Sequence, residues 1–186
     1  MDQKKKKLIA FALAILVIAV FSGTTLAYYT VTGTATNVVT SGNIRLEIHE
    51  ETDGGRPFPK EGVVVIPGDT VTKQVTVKNA CDHPFWLRVE LVKSSNEETL
   101  SPEEVLQIVD LNREDWTQVG DYYYYNDILR PKNRTEPLFT KVHIAGDKVD
   151  QHNIGTALTI TVKASAVQSE NNPAEHPWEA SGWPAA

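Results

Sequence analysis

The sequence predicts an all-β protein: a single antiparallel β-sandwich with one or two short helices, preceded by a signal peptide. Three observations lead there. Most segments between residues 28 and 168 alternate apolar and polar side chains with a period of two, the pattern of a strand with one buried face. Turn clusters rich in Gly, Pro, Asn and Asp separate them at the spacing of a sandwich. Cys81 is the only cysteine, which excludes an intramolecular disulfide, so an apolar core must hold the fold.

The chain opens with Lys4 to Lys7, an apolar run of 14 residues from Leu8 to Phe21, and the small or polar stretch Ser22 to Ala27. That order is a secretory signal peptide. The run falls short of the ~20 apolar residues a membrane-spanning helix needs. Residues 1–27 are therefore read as the signal, cut between Ala27 and Tyr28 because Thr25 and Ala27 suit the small pockets of a signal peptidase. An uncleaved anchor is the competing reading. Removal leaves 159 residues, enough for one domain with a sizeable core. Of 18 Lys and Arg and 24 Asp and Glu, the signal holds four Lys and one Asp, so the remainder carries 14 basic against 23 acidic side chains, a balance of −9. Such a surface lacks the basic footprint that nucleic acid or anionic lipid requires, and it suits a soluble exported protein.

Residues 28–39 alternate strictly, with Thr30, Thr32, Thr34 and Thr36 on one face and Tyr29, Val31, Gly33 and Ala35 on the other. Ile44, Leu46 and Ile48 begin a second half-buried strand, and Thr52 to Pro57 is loop. Val63 to Ile66 is a short strand ended by Pro67-Gly68, a pair suited to the centre of a type II turn. A strand from Thr70 to Lys78 follows, with Lys73 on its inward phase. Asn79 to Pro84 is a turn, in which Cys81 is a small half-buried residue. Phe85, Leu87, Val89 and Leu91 then face inward from the next strand. Ser101-Pro102-Glu103-Glu104 reads as a capping box with Pro at the first helical position. Val105 to Val109 is too short to separate helix from strand, and a short helix handing over to a strand near Ile108 is expected. Tyr122 to Tyr125 is a strand, as are Leu138 to Ile144 and the longest, Thr156 to Val167. Leu158, Ile160, Val162, Ala164 and Ala166 of the last point inward. Residues 169–186 read as a mobile polar tail, although Trp178 and Trp183 are unusual for disorder.

Gly23 to Thr30, Asn37 and Ser41-Gly42-Asn43-Ile44 resemble the start of proteins processed by the SipW-type signal peptidase of Gram-positive bacteria. The best-known of these are the TasA/camelysin family of biofilm-matrix fibre proteins, which the chain resembles over most of its length, most specifically in that N-terminal stretch. Further matches lie at Pro67-Gly68-Asp69, Val77-Lys78-Asn79, Trp86 to Val89, Tyr122 to Tyr125 and Ala164 to Gln168. The resemblance implies a jelly-roll-like sandwich, secretion to the extracellular matrix or cell surface, and self-association into fibres. It implies no cofactor and no enzymatic activity for a structural subunit, although camelysin itself is described as a metalloprotease.

A zinc protease helix needs two histidines four residues apart with a glutamate between them. Here His49-Glu50-Glu51-Thr52-Asp53 lacks the second histidine, and His83, His143, His152 and His176 are scattered. Glu50, Glu51 and Asp53 beside Gly54-Gly55 offer oxygens to calcium but lack the EF-hand spacing, so a solvated acidic loop is preferred. Tyr122, Tyr123, Tyr124 and Tyr125 put two rings on each face of their strand. Either two rings form a platform for a cell-wall or matrix polysaccharide, or all serve packing at a sheet edge. Residues 28–39 are the candidate donor strand, the alternative being that they pair within their own domain. A strand at a chain end is readily exchanged, and Tyr29, Val31 and Ala35 would fill a neighbour's groove, with Gly33 where backbones approach closely.

Overall fold

The computed structural model describes residues 29–37, 44–149, 153 and 155–184. The expected signal peptide, residues 1–27, and both residues of its expected cleavage site, Ala27 and Tyr28, lie outside them.

The described residues fold as an all-β sandwich, as the alternation predicts. In chain order the strands are β1 (Tyr29–Asn37), β2 (Leu46–Thr52), β3 (Arg56–Pro57), β4 (Val63–Val65), β5 (Thr70–Thr72), β6 (Gln74–Asn79), β7 (Phe85–Ser95), β8 (Leu106–Val109), β9 (Trp116–Val119), β10 (Tyr122–Tyr125), β11 (Lys141–Ile144) and β12 (Ala157–Gln168). One layer is the six-stranded sheet β4-β1-β12-β7-β10-β9. The other joins the sheets β5-β11-β8 and β3-β2-β6. Main-chain bonds from Lys73 N–H to Thr140 O and from Leu138 N–H to Val75 O stitch these two together. The inward residues of both layers form one apolar cluster, with Tyr29, Val31, Phe85, Leu87, Val142, Leu158 and Ile160 fully buried. At about 1.5–3 kcal/mol for each buried Val, Leu, Ile or Phe side chain, this burial is the main source of stability.

Several local features differ from expectation. β1 runs parallel to β12, with Val31 opposite Leu158 and Gly33 opposite Ile160, and antiparallel to β4. A parallel pair needs a long connection. Here the rest of the domain supplies it, because β1 and β12 are its first and last strands. The strand expected over Thr70 to Lys78 is interrupted at Lys73, whose side chain turns into the core. Helix α1 (Pro102–Val105) is a single turn, and the strand after it starts at Leu106, because Val105 and Leu106 are both claimed by the core. The Ser101 side chain makes no cap bond, so the expected box does not form. Leu138 to Thr140 bonds to β6 in irregular form before β11 begins at Lys141. The Pro67-Gly68 turn forms as expected: Gly68 sits at φ +91, and Asp69 N–H donates to Ile66 O at 3.1 Å. Cys81 is buried, its thiol 3.1 Å from Asn79 Oδ1.

Residues 169–184 are packed rather than loose. Trp86 Nε1 donates to Asn172 O, and Arg88 donates to Pro184 O. Trp86, Val167 and Ala180 form a second small core with Trp183 against them, on the outer face of the six-stranded sheet. The guanidinium carbon of Arg88 lies 3.8 Å from the Tyr122 ring centre and 4.9 Å from that of Trp183. Cation–π contact and apolar burial together hold the segment down. Trp183→Ala is expected to lower the free energy of unfolding by about 1–3 kcal/mol, read from urea denaturation. An unchanged midpoint would mean the segment contributes nothing to the fold.

Candidate functional site

The candidate site is the slot occupied by β1, between β12 and β4. Thr and Val suit an extended pleated strand, and the alternation sends Tyr29 and Val31 into the core, both with no exposed surface. Outside, the Thr32 hydroxyl lies 2.8 Å from that of Thr159. Ala35, expected to fill the groove with them, is exposed, although Val162 opposite it on β12 is fully buried. β1 is the sole sheet partner of β4 and covers the free edge of β12.

Gly33 is a glycine because of side chains beneath it, not because two backbones meet. A Cβ at this position would collide with Lys73 Nζ and lie 2.6 Å from Glu50 Oε2. Those groups form a buried ion pair: Lys73 Nζ is 2.7 Å from Glu50 Oε1, with the lysine side chain fully buried and that of Glu50 12% exposed. The ammonium also stands 4.3 Å from the centre of the Phe58 ring. Burial pushes the Lys73 ammonium below its usual pKa, and the Glu50 carboxylate opposes that shift. A second glycine is also shaped by β1. Gly62, at φ +81, would place a Cβ 2.5 Å from Val31 O.

The acidic residues read as a solvated loop are otherwise engaged. Glu50 and Glu51 belong to β2, where Glu50 holds Lys73 and Glu51 accepts from Arg134 at 2.9 Å. Asp53 is exposed in a short 3-10 turn. Among the described residues no group of three or more His, Cys, Asp or Glu is placed to hold a metal ion.

The four tyrosines divide as their alternation requires. Tyr123 and Tyr125 pack against the main core, and burial raises both phenol pKa values. Tyr122 and Tyr124 face outward, where an open aromatic platform would have to be. That face is already covered: Arg88 lies on Tyr122, and Trp183 and Trp178 pack edge-on to Tyr124 at 5.5 and 6.2 Å. Tyr125 borders a cleft of about 520 Å³ shared with Trp86, Asp127, Arg130, Asn133 and Glu175.

Sequence reasoning found Gly33 and the inward phase of Lys73 but missed Glu50, Phe58 and Gly62. The signal was present, because a lysine on a buried phase demands a nearby carboxylate. No family model, curated protein or solved structure matches the chain.

Removing one partner of a buried pair leaves the other charge stranded, whereas replacing both with apolar residues is near neutral. Glu50→Ala is expected to cost about 3–5 kcal/mol, and Glu50→Leu with Lys73→Met about zero or a gain. Urea denaturation of both variants measures it. An equal cost for both would show that the pair acts through something other than charge burial.

Proposed function

We propose that this chain is an exported, non-enzymatic structural subunit that self-associates into extracellular fibres by exchanging β1 between copies. Its location is the matrix or cell surface, and its export partner is a signal peptidase of the SipW type. The single observation that carries the reading is the position of β1. β1, the first strand among the described residues and terminal once the expected signal is removed, covers the otherwise open edge of the twelve-residue β12 and supplies two fully buried core side chains. An edge left without its strand presents unpaired N–H and C=O groups and an apolar furrow, which an identical strand from another copy satisfies equally well. The resemblance of the N-terminal stretch to the TasA group points the same way.

The test uses two single-cysteine chains in a Cys81→Ala background, Thr32→Cys and Thr159→Cys, mixed, assembled and oxidised. The expected product is a disulfide linking position 32 of one chain to position 159 of another, identified by mass spectrometry in fibres seen by electron microscopy. Fibres without that linkage, or no fibres at all, would overturn exchange. The exported chain is also expected to begin at Tyr28 on N-terminal sequencing. A retained lysine cluster would instead mean an anchored protein.

A second reading, a module binding cell-wall or matrix polysaccharide, rests on the cleft beside Tyr125. Its aromatic wall and its Asp127, Arg130 and Asn133 side chains match the stacking and hydrogen-bonding needs of a sugar. Glycan-array signal lost in Tyr125→Ala would favour it.

A further inference from the structure

We infer that the buried Lys73–Glu50 pair is the specificity element of the β1 slot. It admits an extended strand only in the register that sets a glycine over the pair, and so selects this chain's Tyr29-Thr30-Val31-Thr32-Gly33 segment supplied by a second copy. The inference deepens the exchange reading and rests on it for the source of the strand. The register rule itself holds equally for a strand the chain keeps for itself.

The outer face of β1 cannot set its register. Thr30, Thr32, Thr34 and Thr36 repeat every second residue, so a slip of two positions replaces each threonine with another. The main-chain hydrogen bonds of a ladder are equally indifferent to such a slip. The inner face carries Tyr29, Val31, Gly33 and Ala35, and only one of these lacks a Cβ. A two-residue slip in one direction sets Val31 on the ion pair, and in the other sets Ala35 there. A one-residue slip turns the threonines inward. Every register but the observed one drives a side chain into Lys73 Nζ and Glu50 Oε2.

The lysine tip ends a flexible chain and would ordinarily swing aside. Here it is held at 2.7 Å from Glu50 and 4.3 Å from the Phe58 ring centre. Moving it breaks the pair and strands two charges in the sandwich, so the obstruction is stiff. Gly62, whose missing Cβ leaves room for Val31 O and the flanking threonine methyl groups, lets β1 lie close but is as indifferent to a two-residue slip as the threonines themselves. An apolar furrow alone would accept any alternating strand, and the ion pair turns it into one that reads sequence.

The test cross-links the whole chain in a Cys81→Ala background. Thr32→Cys with Thr159→Cys reports the observed register, because these residues are direct partners. Thr34→Cys with Thr159→Cys reports a two-residue slip. With Gly33 present, the first pair is expected to close under mild oxidant and the second to stay open. Gly33→Ala should cut the in-register yield several-fold and lower the urea midpoint, and adding Ala35→Gly, which moves the glycine by two positions, should raise the slipped product. Adding Glu50→Ala and Lys73→Ala to the Gly33→Ala chain should restore its in-register yield. An in-register yield untouched by Gly33→Ala overturns the inference, as does a loss that persists once the pair is gone. If the background without the pair fails to fold, the Gly33→Ala, Ala35→Gly chain decides alone: the appearance of its slipped product supports the inference and its absence overturns it. Whether the disulfide closes within one chain or between two bears on the exchange reading alone, so the two ideas fail separately.

Discussion

The constraint on which the architecture depends is that β12 must be paired along both edges. It is twelve residues long, with Leu158, Ile160, Val162, Ala164 and Ala166 fully buried on its inner face. A strand so apolar and so central cannot leave one row of N–H and C=O groups open without inviting a foreign strand. β7 takes one edge along eleven residues, from Phe85 opposite Gln168 to Ser95 opposite Leu158. β1 takes the other along eight, from Thr30 to Asn37. β4 is added beyond β1 and leans on it, with Val64 69% exposed at the sheet's margin. The second layer supplies the opposing half of the core and, through Lys73 and Glu50, a polar fixture beneath the first strand.

Much of this was legible in the sequence because the dominant signal is local. Alternation in β1, β2, β7 and β12 names the buried face of each strand without reference to any partner. Pro67-Gly68 announces its turn because only glycine adopts the required dihedral angles cheaply. Non-local choices were not legible. Nothing in the sequence of β1 says that its neighbour is β12 and that the pair is parallel. The partner of Lys73 lies on a different strand of the sandwich, and three acidic residues around it made the choice ambiguous. β9 was missed because Trp116-Thr117-Gln118-Val119 follows the charged run Arg113-Glu114-Asp115 and carries one deeply buried ring.

The C-terminal segment shows how composition misleads when a few side chains do most of the anchoring. Glu, Asn and Pro dominate residues 169–179, as they would in a disordered tail. Yet Trp183 and Trp178 find Tyr124, and Arg88 is held between Tyr122, Trp183 and the Pro184 carbonyl. The outer half of β7, with Trp86 and Arg88 buried, is thereby covered on a face that an isolated sandwich leaves to water. The tyrosine strand consequently serves two cores at once, one on each side of the sheet.

The closure of the domain by its first and last strands has a consequence for the order of folding. The Thr32–Thr159 contact joins residues 127 positions apart, so it closes most of the folded domain into one loop. The entropy of that closure must be met before the pairing returns any energy, which makes such contacts late and slow. The local hairpin of β9 and β10 can form without any residue beyond Tyr125. The seat for β1 cannot, because β12 is nearly the last segment to arrive. Until then the first strand has only β4 to pair with, and its full docking is the last step of folding.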